Sequence, residues 1–442
     1  MKHFSLLLLS FFCSLASCLA QDTIEGRIVD AETGEPLPYA KVYTANKIGT
    51  LSNSDGYFRL VEHENTKLKI TYIGYRQLEC TAAEARGVVR MEPLVNQMGQ
   101  VTVLAYNMSD LVKQIIKELK NSYKKGKKER ELYFYRITFS NGKKHELVEA
   151  FLKANAAVNL RNLAITSGIM AGDYATDEAE VGITSTNVHR ILEVGAKTFD
   201  SYRWQNCIKP FDKVSTFKKY YEASATSIGK GDEEIIKILF KEKDKRKNRN
   251  GKGLMVGTAY VRASDKRLLR FDGEVLYQFM NSGLSRVPMD FKFNMEYDYS
   301  KGYAEMSTLA IEGGGEFEPN LLSHLSTLNY RTVLFRITED SLEQKEEHKL
   351  GKDMLSVVKH AGYDSELWNN YEVIRRTERE ERIAFGENLI TRHMMTDRSG
   401  KEYLPHEDST DNQKINDMLL RQKRFAAMIP QEKVYVHMDN NC

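Results

Sequence analysis

The chain is poor in cysteine, in charge of one sign and in long apolar runs, and each shortage excludes a class of protein. Five cysteines occur in 442 residues, and two of them, Cys13 and Cys18, lie within the first twenty. The others, Cys80, Cys207 and Cys442, are too few and too widely spaced for a disulfide framework or a tetrahedral zinc site. One pair among them stays open in an oxidising compartment. The formal net charge of +3 creates no global field, so no nucleic-acid partner is expected. Beyond residue 20 no apolar run is long enough to span a bilayer.

Catalytic signatures are missing as well. A metallocarboxypeptidase-type zinc site needs His and Glu at H-x-x-E spacing, and none of the ten histidines has a Glu three residues on. H-E-x-x-H is absent; the nearest approach, His145-Glu146-Leu147-Val148-Glu149, sits in strand-like alternation that sends neighbouring side chains to opposite faces. Ser215-x-x-Lys218 and Ser356-x-x-Lys359 have the spacing of an activated serine but lack the S-D-N and K-T-G partners. There is no G-x-S-x-G elbow, and Gly313-Gly314-Gly315, without a following Lys-Ser/Thr, reads as a flexible turn. The expectation is no catalytic, cofactor-binding or metal-binding residue, no cofactor, and a chain that is not an enzyme.

What is present begins with export. Lys2 and His3 precede the apolar run Phe4 to Ala20, which closes on Cys18-Leu19-Ala20 before Gln21-Asp22. Residues 1–20 read as a cleaved signal peptide. Leu15-Ala16-Ser17-Cys18 also fits a lipobox, which would make Cys18 a lipidated first residue. Cleavage near Gln21 is favoured because Gln21-Asp22 makes an ordinary mature start. The location is periplasm or outer membrane.

Residues 24–76 then show short strands between turn signals. Ile24 to Val29, Val42-Tyr43, Tyr57 to Leu60 and Leu68 to Tyr72 partly alternate apolar and polar residues, with Asp30, Thr33, Gly34, Pro36 and Pro38 breaking the first from the second. In Asn53-Ser54-Asp55-Gly56 the Asx side chains can cap a bend while Gly56 takes positive φ. Such strands at such spacing predict an antiparallel sandwich with Phe58 in its core. Gly26, Val29, Asp30, Thr33 to Pro38, Ala40, Val42, Gly49-Thr50, Ser52-Asn53, Asp55-Gly56, Phe58 and Ile73-Gly74-Tyr75 together resemble the carboxypeptidase-like regulatory domain, a transthyretin-like β-sandwich of exported Bacteroidetes-type proteins. The resemblance spans residues 22–105 and closes through Val89, Met91, Leu94 and Val101-Thr102-Val103. It implies an accessory module whose matching residues serve the fold.

From residue 107 to about 400 the character changes. Ser109-Asp110 can cap a helix carrying Leu111, Ile115, Ile116 and Leu119 on one face and ending in the basic segment Lys124 to Lys128. Leu132 to Phe139 and Glu146 to Leu152 read as a hairpin about Asn141-Gly142. Further strands are predicted at Ile235 to Phe240, Met255 to Val261, Leu268 to Phe271, Phe291 to Tyr299, Tyr303 to Ile311 and Arg331 to Ile337, with an irregular stretch from Gly172 to Thr216. Phe134-Tyr135-Arg136, Val148-Glu149-Ala150, Gly257 to Val261 and Leu367 to Ile374 resemble the region that follows the regulatory domain in uncharacterised envelope proteins, which implies a curved antiparallel sheet like that of lipoprotein carriers.

Asp411 to Met428 has helical spacing stopped by Pro430, and Gln431 to Asn440 resembles the opening strand of macroglobulin-like sandwiches, so residues 409–442 read as a helix plus a partial macroglobulin-like strand that packs on the rest of this protein, pairs with a partner or marks a shortened reading frame, the last being favoured. Basic residues at 124–130 and 241–252 read as solvated turns rather than a lipid-headgroup surface.

The fold expected is therefore mainly β with α+β: an N-terminal sandwich and a second region built on a curved antiparallel sheet. The function expected is non-catalytic binding or assembly in the cell envelope, beside an outer-membrane transport or surface system; the alternative is an envelope hydrolase whose site is not contiguous in sequence. The partner is an envelope protein or an apolar ligand such as lipid or peptide. Phe271, Tyr277, Phe279, Phe291, Phe293, Tyr297, Tyr299 and Tyr303 frame that question, since either helices bury them or they line a groove.

Overall fold

The computed structural model describes residues 22–44, 47–94, 107–141, 144–172, 207–244, 253–277, 279–282, 285–288, 291–317, 326–337, 346–349, 354–361, 374–380, 395–396 and 402–403. The protein is mainly β, with two compact units. The first comprises residues up to Pro93 together with Tyr371–Thr377 and Leu419–Met428; the second holds Leu94–Asn370, Glu378–Met418 and the remainder.

Seven strands build the first unit: β1 (Asp22–Asp30), β2 (Lys41–Thr44), β3 (Lys47–Leu51), β4 (Tyr57–Glu62), β5 (Lys67–Thr71), β6 (Leu78–Thr81) and β7 (Gly87–Met91). They form one sheet of order β4-β1-β7 and another of order β3-β2-β5-β6. Alternation points Ile24 and Ile28 of β1, Val42 of β2, Phe58 and Leu60 of β4, Leu68 and Ile70 of β5 and Val89 and Met91 of β7 into a shared core. One pairing departs from the antiparallel expectation: β1 and β7 run parallel, Gly26 opposite Gly87 and Val29 opposite Arg90. The chain visits the other sheet between them, and so long a connection removes the hairpin constraint.

The predicted bend before β4 forms as the side chains dictate. Asn53 Oδ1 accepts from the Asp55 and Tyr57 amides at 3.0 Å each, and Gly56 takes φ +83°. A second Asx device ends β1. Asp30 accepts from the Glu32 and Thr33 amides at 2.7 and 2.9 Å on one oxygen and from the Tyr75 hydroxyl at 2.6 Å on the other. The Tyr75 bond, with that of the Thr33 amide, holds the carboxyl below its ordinary value of 3.8 although burial opposes them. A depressed carboxyl stabilises the fold above its unfolded value, and that contribution disappears as pH falls through the lower folded value. Acid titration of the full chain, followed by hydrogen exchange in β1 and β7, should therefore show protection falling as pH drops below 3.8, with Asp30→Asn less pH-dependent over the same range. An unchanged acid limb in that variant would remove Asp30 from the account.

The second unit opens with α1 (Met108–Gly126), then β8 (Arg130–Asn141), β9 (Lys144–Asn155), β10 (Arg161–Gly172), α2 (Val214–Tyr220), β11 (Tyr221–Ile228), β12 (Ile235–Glu242), β13 (Leu254–Arg262), β14 (Leu268–Leu276), β15 (Phe279–Ser282), β16 (Ser285–Pro288), β17 (Phe291–Asp298), β18 (Glu305–Phe317), β19 (Ser326–Arg336), β20 (His348–Lys349), α3 (Met354–Ala361), β21 (Met395–Thr396) and β22 (Glu402–Tyr403). Eleven of these strands form one sheet of order β11-β12-β13-β14-β17-β18-β19-β8-β9-β10-β20. Two meanders make it, β8 to β10 and β11 to β19, joined where β19 pairs antiparallel with β8, Phe335 opposite Phe134.

The N-cap of α1 is Asn107, not Ser109-Asp110: the Asn107 side chain accepts from the Ser109 amide at 3.2 Å, starting the helix about two to three residues earlier than the sequence pattern suggests. Asp110 in its first turn and Lys124 and Lys125 in its last complement the helix dipole. Leu111, Val112, Ile115, Ile116 and Leu119 join the core cluster of one sheet face, which also holds Phe211, Phe217, Phe240, Phe271, Phe293, Tyr297 and Tyr299. Phe271 meets the rings of Phe211, Phe240 and Phe293 at centroid distances of 5.4, 6.2 and 4.9 Å. Tyr299 bonds Glu118 of α1 at 3.2 Å, and Ser122 accepts from the Ala304 amide at 2.8 Å. The aromatics from Phe271 to Tyr303 whose side chains are described are thus packed by α1 and the segment leading into β11. Tyr277 lies at the margin, bonded to Glu242 at 2.8 Å, and Phe279 lies in β15.

Gly313-Gly314-Gly315 is not a turn. All three lie within β18 and pair with β19, and Gly313 is also paired with β17, between Phe291 and Tyr330. A Cβ on Gly313 would come 2.6 Å from the Tyr330 Cζ, so the Tyr330 ring fills the missing side chain's place. The strand expected at 101–103, the turn expected at Asn141-Gly142 beyond Asn141, the basic residues after Asp244 and the helix and strand expected within 409–442 lie outside the described residues, as does most of the stretch from Gly172 to Thr216.

Candidate functional site

Two places gather chemistry, one in each unit. On the first unit, alternation along β1 turns Ile24, Gly26 and Ile28 inward, leaving Glu25 and Arg27 on the outer face of the β4-β1-β7 sheet. Register sets Glu25 opposite Arg59 and Arg27 opposite Tyr57. Arg59 is only 2% exposed on this nominally outer face, because a short extended segment from far along the chain, residues 374–377, lies there. Glu25 bridges Arg59 at 2.8 Å and Arg375 at 3.5 Å. The Tyr57 ring has the Arg27 and Arg375 guanidiniums at 5.1 and 5.2 Å from its centroid. Asn53 donates from its amide to the Arg376 carbonyl at 3.5 Å, and Ile374, Arg376 and Thr377 are buried. A carboxylate beside an aromatic face suits a guanidinium, which is planar, weakly hydrated and able to stack.

On the second unit, a cleft of about 360 Å³, open to solvent, is lined by Thr138, Glu312, Tyr330, Arg331, Arg379 and Glu380, with Gly313 in its floor. Arg331 pairs with Glu312 at 2.8 Å across β19 and β18. Beneath it Arg136, 2% exposed, meets Glu149 of β9 at 2.6 Å and Glu380 at 3.4 Å, and Glu380 accepts from the Thr138 hydroxyl at 3.1 Å. A third ionic group joins Arg336 to Glu305 and Asp298, and Lys301 to Glu131 and Glu305. Burial pushes the Glu305 carboxyl up against the pull of Arg336, whereas Asp298, also opposed by burial, is held down by Arg336 and Ser300. These arrangements neutralise charge inside a sheet.

The motifs weighed from sequence are not brought together. Glu149 is spent on Arg136, and His145 lies on the same strand, β9. Ser215 and Lys218 share α2, and Ser356 and Lys359 share α3. Cys207 is buried, its thiol pushed up to about 12 by desolvation, and burial likewise raises Cys80; both are free thiols. Among the described residues no three or more of His, Cys, Asp and Glu gather as a metal could use, and no helix is long and apolar enough to cross a membrane. Neither the face carrying Glu25, Tyr57 and Asn53 nor the Arg136 cluster was singled out from sequence. The outward parity of Glu25, Arg27, Tyr57 and Arg59 was the available signal for the first; the second has none, since its partners lie up to 244 residues apart.

No curated protein matches the chain. Among solved structures it is similar to that of a Bacteroides fragilis protein of unknown function described as membrane-associated, at 10% identity, covering 72% of this chain and 98% of that one with a TM-score of 0.13, which is too low to bear on the fold. The family comparison is more definite, since the CarboxypepD_reg-like domain family matches residues 24–103. That span coincides with the seven-stranded sandwich and its Asx-turn, so the N-terminal unit is built on a CarboxypepD_reg-like domain.

Proposed function

We propose that this is an exported, non-catalytic protein of the cell envelope that binds or assembles other envelope components at the outer membrane. The observation that carries the reading is the occupied outer face of the CarboxypepD_reg-like domain, where Glu25, Asn53 and Tyr57 hold an extended backbone segment from more than 300 residues away. A sheet face that grips an extended segment through its backbone carbonyl and a guanidinium is a recognition surface. The signal-like first twenty residues support export, and the pairing of the buried carboxylates with arginine supports scaffolding over catalysis.

The test is gentle extraction of the chain from native outer membranes, followed by native mass spectrometry. A complex of defined mass is expected, formed by a mature chain beginning near Gln21 or at a lipidated Cys18. Recovery of a lone monomer that hydrolyses peptide, ester or glycoside substrates would overturn the proposal in favour of an enzyme.

A further inference from the structure

We infer that residues 374–377 are a displaceable latch, and that the β1/β4 face of the CarboxypepD_reg-like domain accepts an extended partner segment carrying a branched apolar residue followed by arginine. The inference rests on the reading of this domain as a recognition module and names the chemistry of what it recognises.

The latch defines that chemistry. Ile374 is an apolar side chain 1% exposed, and Arg375 next to it places its guanidinium between the Glu25 carboxylate at 3.5 Å and the Tyr57 ring at 5.2 Å. The Arg376 carbonyl then takes the Asn53 amide at 3.5 Å. Anchor, cation and backbone contact follow one another along a few residues, the form in which an extended peptide is read. On the domain side, the acceptor groups are fixed before the segment arrives. Asn53 is locked by accepting from the amides of Asp55 and Tyr57, and Glu25 is held by Arg59.

Two features favour exchange of the occupant. The contact is short: Tyr371–Thr377 belongs to the first unit, while the chain on either side of it, Leu94–Asn370 and Glu378–Met418, belongs to the second. Its ion pair is also partly open, with the Arg375 and Glu25 side chains 26% and 22% exposed, a setting in which such pairs contribute little. The latch holds through tethering, which supplies an effective concentration on the order of millimolar. A partner segment of the same chemistry, delivered at comparable local concentration, would replace it.

The experiment uses the full chain and a fluorescein-labelled heptapeptide, Tyr-Glu-Val-Ile-Arg-Arg-Thr, with the sequence of residues 371–377. Wild-type protein should bind it weakly. Arg375→Glu, which loosens the latch and leaves the face intact, should bind it about tenfold more tightly, and Ile374→Ser should do the same. Adding Glu25→Arg to Ile374→Ser should abolish the gain and restore binding to a peptide in which the first arginine is replaced by glutamate, whereas adding it to Arg375→Glu reverses the latch's own pair and should abolish the gain alone. Hydrogen exchange in β1 and β4 verifies that the domain stays folded, and having two latch variants keeps the test decisive if one does not fold. Unaltered affinity in both latch variants, or a gain that survives Glu25→Arg, would overturn the inference. That result would leave the envelope complex standing, because the complex is read by co-extraction; loss of the complex with intact peptide exchange would overturn the other reading instead.

Discussion

Replacing Phe58 by alanine is expected to destabilise the N-terminal sandwich by about 3–5 kcal/mol, the range for truncating a fully buried aromatic. Phe58 is 0% exposed and follows the Asn53–Gly56 turn, so the turn sets the parity that sends it inward. Its ring lies over Gly26 of the neighbouring strand, where a Cβ would come 2.5 Å from Cε1. The two positions are therefore matched, with one ring filling the space left by an absent side chain. Ile24, Ile28 and Leu60 stay in place around a Phe58→Ala hole, and a hole that cannot collapse costs more than the transfer of the lost atoms alone. A domain of this size has total stability on the order of 5–15 kcal/mol, so most of its margin is at stake. Hydrogen exchange of β1, β4 and β7 in the full chain reads the loss locally. Protection within about 1 kcal/mol of wild type would place Phe58 outside the core.

Phe58 also illustrates what the sequence makes legible. Its position, the Asx bend and the strand pattern from Ile24 to Tyr72 are all local, set within about ten residues by turn chemistry and side-chain alternation. The six strands expected between Ile235 and Ile337, and the hairpin around Asn141, were legible for the same reason and are present as β12, β13, β14, β17, β18, β19, β8 and β9. Where local signals weaken, reading fails. β10 was missed because its pairing with β9 is interrupted between Arg161 and Ala164 and again between Ile165 and Ser167, which breaks the period of two. β11, Tyr-Glu-Ala-Ser-Ala-Thr-Ser-Ile, is made of small residues whose burial is decided by β12 and not by their own hydrophobicity. The glycine triplet was misread because its strand character comes from pairing with β19, which no local signal announces. The outward parity of Glu25, Arg27, Tyr57 and Arg59 was legible, but what covers that face was out of reach, since Glu25 and Arg375 are 350 residues apart in sequence.

The two sites also differ in what their charges do. At the sandwich face Arg375 and Glu25 are 26% and 22% exposed, so removing Arg375 should cost little stability, although Arg59 beside them is buried. In the large sheet Arg136, Glu149, Glu305 and Arg336 are all nearly inaccessible, and their pairing is what allows them to sit there. A partly exposed ion pair can exchange its partner; a buried one cannot without exposing a charge. On the proposed reading, that contrast directs the search for binding to the first unit.

Glu149→Ala should accordingly cost about 3–5 kcal/mol in the second unit, as expected when one member of a buried ion pair is deleted. Glu149 is 1% exposed in β9, an interior strand of the sheet, and receives the Arg136 Nε at 2.6 Å from the facing residue of β8. Its loss strands the closer half of the charge balance of a guanidinium that is itself 2% exposed, leaving Glu380 at 3.4 Å as its more distant carboxylate. Water cannot make up the difference without opening the β8–β9 ladder, which runs without interruption from Arg130 to Asn141. Because the penalty comes from the abandoned charge and not from the lost attraction, the double replacement Arg136→Met with Glu149→Leu should be less damaging than Glu149→Ala alone. Denaturant unfolding of the full chain, with hydrogen exchange in β8 and β9 to locate the transition, supplies both numbers. A double variant as unstable as the sum of its parts would mean that the pair itself, and not relief from an unpaired buried charge, sustains the sheet.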